Sequence, residues 1–390
     1  MSSPVLSFSC KRPRTSDDLF VWRRLGTPSK DNQKVMSHLF DPFTLRGVTL
    51  RNRIGVSPMC QYSCDDGFAN DWHLVHLGSR AVGGAGLVIL EATGVEARGR
   101  ISPNDLGIYR PEHLEMLARI TAFLKAHGAV AGIQIAHAGR KASTAPPWRG
   151  GGGVSDADGG WAPIGPGADK FTENYRQPRA MTLADIAEVQ AAFALGAQRA
   201  VEAGFEWIEL HAAHGYLLHS FYSPLTNHRT DAYGGSFDNR IRMTVETARK
   251  VRAAVPERLP VTVRLSCVDW IEGGWTLEDS IGLSRRLKDE GIDLIDCSSG
   301  SVAPGAKIPI GAGYQTPFAE AIRREVGIPT AAVGLITQPM QADEIIRNGR
   351  ADLVYLAREM LRDPYWPLHA AWALGHDPKP LTPAQYLRAF

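Results

Sequence analysis

Cysteine is scarce in this chain, and long apolar runs are missing. Five cysteines (Cys10, Cys60, Cys64, Cys267 and Cys297) are scattered over 390 residues. They are too few and too dispersed for a disulfide framework, which fits a reducing, cytoplasmic compartment. Cys60 and Cys64 have no second pair to complete a zinc site, and no metal is expected. No uninterrupted apolar stretch approaches the roughly 20 residues that span a bilayer, so a membrane is not an expected partner. Charge of one sign is lacking too. A net charge of +2 gives nucleic acid no electrostatic footing. Finally, no GxGxxG follows the first candidate strand, which weighs against an open, doubly wound dinucleotide-binding sheet.

What is present divides at about residue 35. Residues 1–35 are rich in Ser, Arg, Lys and Pro and carry no apolar period. They read as a mobile N-terminal arm, and Asp17 and Asp18 argue against a secretory signal. From Leu39 the pattern becomes regular. Phe43-Thr44-Leu45 and Val48-Thr49-Leu50 flank Arg46-Gly47 as a short hairpin. Eight candidate strands follow, at 53–57, 86–91, 130–136, 205–210, 260–266, 292–297, 328–333 and 352–357. Helical stretches separate them, at about 71–82, 111–127, 183–203, 237–255, 277–290, 318–326 and 339–348, with a last helix from about Glu359. Thr182, Ser236 and Thr276 are placed to cap helices, and Gly128, Gly204, Gly291, Gly327 and Gly349 to end them. Eight strand–helix units predict an α/β fold, a closed (β/α)₈ TIM barrel over residues 36–390. The one long excursion, 141–181, holds Gly150 to Gly153 and many prolines, and reads as a lid leaving strand 3.

The candidate chemistry gathers at strand ends. Trp207, Glu209 and His211 alternate with Ile208 and Leu210, giving the fourth strand one polar face. Side chains at i and i+3 diverge on a continuing strand, so His211 and His214 converge only if the strand ends near Ala212 and turns into Gly215. Tyr216 then joins them at one rim. Two histidines so spaced are, on their own, more often a satisfied polar strand end than a site. Gln134, Arg264 and His211 occupy the polar alternates of their strands and should point to the barrel axis. An amide, a fixed cation and imidazoles there suit a planar heterocycle, although a satisfied buried network is an equal reading. Gly334 and Arg358 close strands 7 and 8, where barrels commonly hold a phosphate. Cys60 is a nucleophile by type, but no base is fixed beside it by sequence, and a buried inert thiol is the better reading.

Taken together, several blocks resemble the old yellow enzyme family of flavin ene-reductases, in its smaller, bacterial-type branch. They are Ser57–Ser63 (SPMCQYS), Gln134–Lys141 (QIAHAGRK), Ile208–Leu218 (IELHAAHGYLL), Ser223–Arg240 (SPLTNHRTDAYGGSFDNR), Asp293–Gly300 (DLIDCSSG) and Gly349–Pro364 (GRADLVYLAREMLRDP). The resemblance implies bound FMN and transient NADPH as cofactors. It implies that Ser57, Pro58, Met59 and Cys60 contact the flavin ring, with Cys60 tuning its redox behaviour. Ala92, Gln134 and Arg264 would also lie at the ring, and Gly334, Ala357 and Arg358 at the phosphate; position 357 is often Gly in the family. His211 and His214 would bind the substrate carbonyl, Tyr216 would donate a proton, and Tyr62 would contact substrate. The implied substrates are small activated alkenes. The tail at 376–390, with Tyr386, Arg388 and Phe390, resembles the segment by which this branch completes a neighbour's active site. That implies a homodimer or homotetramer with Arg388 at a shared site. The alternative is a cofactor-free barrel lyase or isomerase acting on a phosphorylated substrate through Arg358.

Overall fold

A computed structural model describes residues 38–389. The N-terminal arm at 1–35 and Phe390 lie outside the described residues. Eight parallel strands close into a barrel: β1 (Ile54–Val56), β2 (Leu87–Gly94), β3 (Val130–Ala136), β4 (Trp207–Ala212), β5 (Val261–Ser266), β6 (Leu294–Ser298), β7 (Thr330–Val333) and β8 (Leu353–Leu356). Each pairs with the next, and Val354 of β8 opposite Ile54 of β1 completes the ring. The antiparallel hairpin Phe43–Leu45 with Val48–Leu50 precedes the barrel, turning at Arg46 with φ 50°.

Helices begin and end where the sequence signals them. Thr182, Ser236 and Thr276 each accept a hydrogen bond from a first-turn amide. Gly128, Gly204, Gly291, Gly327 and Gly349 all have positive φ just beyond a helix, a conformation glycine adopts without steric cost. Several expectations shift, and the last helix, expected from about Glu359, is two, Arg358–Arg362 and Trp366–Ala373. The helix expected from Pro111 opens as a 3₁₀ turn, and its α-helical part is Leu114–Ala126. β4 runs two residues beyond its expected end, so His211 is on the strand itself. β2 continues to Gly94 through a register shift between Leu90 and Ala92, a bulge that re-aims the residues after it. A short helix, Leu217–Tyr222, was not signalled by any apolar period.

The apolar core lies between the strands and their covering helices. The barrel axis is different, because its lower part is filled by large side chains. A Cβ placed on Gly55 would lie 2.6 Å from the Tyr355 ring, so the absence of a side chain on β1 makes room for the tyrosine of β8. Trp207 donates its Nε1–H to the Thr262 hydroxyl at 3.2 Å across the same interior. The excursion at 141–181 leaves β3 and returns to the helix Leu183–Glu202. It carries a two-residue parallel ladder, Ile164–Gly165 with Arg179–Ala180, and two 3₁₀ turns. Arg140 fastens it by donating to the Asp169 and Lys170 carbonyls, and Arg229 by donating to those of Pro166 and Met181.

Candidate active site

The end of β4 brings the histidines together as the strand-end argument requires. His214 has φ 59° and Gly215 φ 75°, two successive left-handed residues that turn the chain back over the barrel mouth. The His211 ring centroid lies 5.3 Å from that of His214 and 5.0 Å from that of Tyr216, both edge to face. The Ala213 N–H donates to His211 Nδ1 at 3.3 Å, which leaves the proton on Nε2 and makes that nitrogen the available donor. His214 Nε2 lies 2.7 Å from the Ser298 hydroxyl. When that hydroxyl donates, Nδ1 carries the His214 proton. Burial, with the Arg264 charge near, holds both imidazoles well below their ordinary pKa, so each is a neutral N–H donor. Burial likewise raises the Tyr216 phenol well above its ordinary value, with Cys60 and Tyr62 adding to the effect, so it keeps its proton.

Cys60, Tyr62, Trp161 and Tyr216 pack around a small apolar cluster of Ala92, Ile101, Ala136, Ala138 and Ala142. Cys60 is desolvated beside Asp105 and Glu91, which pushes its thiol pKa far up and agrees with an unreactive thiol. Its sulfur and one oxygen each of Glu91 and Asp105 lie within 4.8 Å of one another. Tyr62, at φ 50°, meets Trp148 of the excursion edge to face at 5.6 Å.

On the opposite side a cavity opens at the ends of β5 to β8. Arg264, Ser298, Gly334, Ala357 and Arg358 line it, with Tyr314 and Gln315. A Cβ on Gly334 would lie 2.8 Å from Gln315 Nε2, and its φ of 120° disfavours any other residue, so bare backbone faces this cavity. Ala357 has φ −101° and ψ −100°, on the negative-φ side, so the methyl group where the family often has Gly does not meet the left-handed penalty. Arg264 donates from Nη1 to the Ser57 hydroxyl at 3.1 Å. Pro58 and Met59 follow Ser57 directly, with Met59 packed on the main core.

Three residues of the interior carry chemistry that the sequence reading did not assign. Gln134 donates to Glu209 Oε1 at 2.9 Å, and Asp296 Oδ2 lies 3.1 Å from Arg264 Nε. The Arg264–Asp296 approach lacks hydrogen-bond alignment and is an ion pair only. Burial, with Asp296 close by, raises Glu209 to about 8, and burial raises Asp296 to about 6 against the pull of Arg264. Glu209 and Asp296 sit on the same alternates as His211 and Arg264, so strand parity was the signal that could have found them. Lys141 is the third. Its ammonium donates to the His214 carbonyl at 2.9 Å and lies 5.1 Å from the Tyr216 ring centroid. Desolvation, with Arg140 beside it, lowers this lysine to about 7.

Arg388 is not brought to this cluster within the chain. It is exposed in the 3₁₀ segment Ala384–Ala389 and forms no hydrogen bond or ion pair among the described residues. Tyr386 meets Tyr365 at 6.2 Å yet stays 42% exposed, so packing on the chain's own last helix accounts for only part of it.

Residues 38–375 match the model of the NADH:flavin oxidoreductase / NADH oxidase family. An NADPH dehydrogenase of Geobacillus sp. is 53% identical over 339 residues, covering 86% of this chain and 94% of that protein. An NADPH dehydrogenase of Halalkalibacterium halodurans is 49% identical over 91% of this chain and 100% of its own length. Among solved structures, an old yellow enzyme homologue from Zymomonas mobilis superposes with a TM-score of 0.74 at 26% identity, covering 87% of this chain and 94% of that one. The 2-naphthoyl-CoA reductase structure gives a TM-score of 0.79 at 27% identity over 87% of this chain, but this chain spans only 52% of its length. The chain belongs to the NADH:flavin oxidoreductase / NADH oxidase family and, within it, to the old yellow enzymes.

Proposed function

We propose that this FMN-dependent oxidoreductase of NADPH dehydrogenase type reduces the activated C=C bond of small α,β-unsaturated carbonyl or nitro compounds. Family membership displaces the cofactor-free lyase or isomerase reading. The residues present fit FMN. The Gly334 backbone, Ala357 and Arg358 offer N–H groups and a cation to a phosphate. Arg264, Gln134, Ala92 and the segment Ser57 to Cys60 would hold the ring system. Bound there, FMN would supply the two-electron hydride chemistry between NADPH and the alkene.

The chain's own residues supply the rest. The N–H groups of His211 and His214 receive the substrate oxygen, where charge builds as hydride reaches Cβ. Each well-aligned donor of this kind is worth roughly 3–4 kcal/mol of barrier. Because both imidazoles are held neutral by burial, they donate without losing a proton to the oxygen. Tyr216 gives its proton to Cα, a contribution on the order of 10²–10⁴-fold. Tyr62 packs against the bound substrate, and the 141–181 excursion acts as the lid that excludes water. Arg388 belongs to a site shared between subunits of a homodimer or homotetramer. Four free cysteines among the described residues suit a cytoplasmic setting.

The convergence of His211, His214 and Tyr216 on one rim carries this reading. Its test is anaerobic reoxidation of the NADPH-reduced protein by a panel of cyclic enones, maleimides and nitroalkenes. Reoxidation by enones is expected, and replacing both histidines by alanine should slow it at least 100-fold while FMN stays bound. Equal rates in both proteins would remove the histidines from the site.

A further inference from the structure

The turn that presents His214 and Tyr216 is strained, and its central amide is held by a side chain outside the site. Gly215 donates its N–H to His219 Nδ1 at 2.9 Å. His219 Nε2 lies 2.8 Å from Asp269 Oδ1, and both side chains are fully buried. The other Asp269 oxygen accepts from the Ser223 hydroxyl at 2.6 Å and from the Trp275 N–H at 2.9 Å. Burial would raise this carboxyl, but the electrostatic attraction and hydrogen bond of His219, then the bonds from Ser223 and Trp275, bring it below its ordinary value. An ionised carboxylate only accepts, so Nε2 must carry the imidazole proton and Nδ1 must be bare. A bare Nδ1 is what the Gly215 amide needs.

We infer that the His219–Asp269 dyad is a positioning element of the reaction: Asp269 sets the tautomer of His219, and that tautomer anchors the Gly215 amide between His214 and Tyr216. This rests on the roles proposed above for those two residues. The rest of the turn is tied elsewhere, by Lys141 to the His214 carbonyl at 2.9 Å, by the Tyr216 N–H to the Ala213 carbonyl at 3.2 Å and by the Ser220 hydroxyl to the Gly215 carbonyl at 2.9 Å, so His219 is what holds the Gly215 amide itself. His214 N–H is held by Ser266 Oγ at 2.9 Å, and a Cβ at Gly215 would come within 2.3 Å of the Ser301 carbonyl oxygen. Without the Gly215 anchor, the left-handed His214 can relax toward commoner backbone angles. A displacement of about 1 Å at reacting groups can cost on the order of 100-fold in rate.

The discriminating variant is Asp269→Asn. Ser223 and Trp275 both donate to one side of residue 269, so the asparagine oxygen stays there and its NH₂ faces His219. That forces the proton onto Nδ1, where it opposes the Gly215 N–H. His219→Gln is the conservative control, since its oxygen can accept from Gly215 while its NH₂ donates to Asp269.

The readout is the dissociation constant of phenol, a mimic of the developing oxyanion, followed by its long-wavelength band on the FMN-loaded protein, with kcat and KM for 2-cyclohexenone. Asp269→Asn should weaken phenol at least 10-fold and lower kcat at least 10-fold at unchanged FMN content, whereas His219→Gln should stay within about 3-fold of the parent. Native phenol affinity in Asp269→Asn would overturn the inference, as would an equal loss in His219→Gln, which would signal packing alone. If Asp269→Asn does not fold, ¹⁵N NMR of the parent's histidines decides. His219 should show a protonated Nε2 and bare Nδ1, and the opposite tautomer overturns the proposal. Absence of the phenol band in the parent would instead strike the proposed roles of His211 and His214, and the inference with them.

Discussion

Arg264 and Asp296 form an ion pair, Nε to Oδ2 at 3.1 Å, inside a barrel that buries both. Glu209 stands close enough for these two charged groups to perturb its ionisation, so one arginine serves two carboxyls. Removing one partner of a buried pair typically costs about 3–5 kcal/mol, because the other is left uncompensated. Arg264→Met should therefore lower the melting temperature. It should also lower the flavin reduction potential, or empty the site of FMN, because the guanidinium favours the negatively charged reduced form. Potentiometry on the purified variant checks this, and an unchanged potential at full FMN occupancy would place the side chain away from the ring.

The same interior gives a pH dependence whose sign can be worked out. Glu209 is raised from 4.5 to about 8. Between those values the folded protein holds a proton that the unfolded chain has lost, so stability declines as pH rises through that window. Below about 4.5 the contribution is fully present, and above about 8 it is gone. Glu209→Gln keeps the shape and an acceptor for Gln134 but cannot ionise. Melting temperatures of parent and variant should converge at low pH, and the variant should gain on the parent from pH 5 to 8. A constant difference across that range would mean Glu209 titrates normally.

Gly55 is a packing prediction. A methyl group there would meet the Tyr355 ring at 2.6 Å, closer than Cβ atoms approach. Overpacking of this kind costs typically 1–3 kcal/mol. Since Tyr355 also lines the cavity with Arg264 and Arg358, Gly55→Ala should both lower the melting temperature and weaken FMN retention. Dialysis followed by absorbance measures the second effect separately from the first.

Much of this was legible in the chain. Strand parity placed Gln134, Arg264 and His211 inward, because a period of two leaves only two faces and burial fills one with aliphatics. The turn at His214–Gly215 followed from needing two imidazoles on one rim. The bulge after Leu90 was not legible, since Leu87 to Leu90 are apolar throughout and show no alternation for an extra residue to break. Nor was the helix Leu217–Tyr222, whose six residues are too few to show a helical period and are buried on every side. Lys141 escaped for another reason. Its closeness to Tyr216 is set by the fold across 75 positions, and no local pattern encodes that. His219 and Asp269 likewise sit on separate elements, 50 residues apart.

The C-terminal segment leads to a prediction about assembly. Residues 384–389 form a 3₁₀ segment in which Tyr386 is 42% exposed, Leu387 is 42% exposed and Arg388 has no partner among the described residues. Terminal residues without a docking surface fray, and this one carries exposed apolar side chains beside an unpaired cation. A second subunit would bury Tyr386 and Leu387, and aromatic and arginine side chains are enriched where such interfaces form. Across a two-fold axis each tail would meet the other's barrel, and Arg388 would reach a neighbouring pocket in both directions. A cation at that mouth meets substrate or NADPH but not the buried flavin. Deleting residues 383–390 should therefore reduce the mass seen by light scattering and raise KM several-fold while FMN remains bound. Arg388→Ala should raise KM with the assembly intact. Native mass and unchanged kinetics in the truncated protein would show that the tail belongs to its own subunit alone.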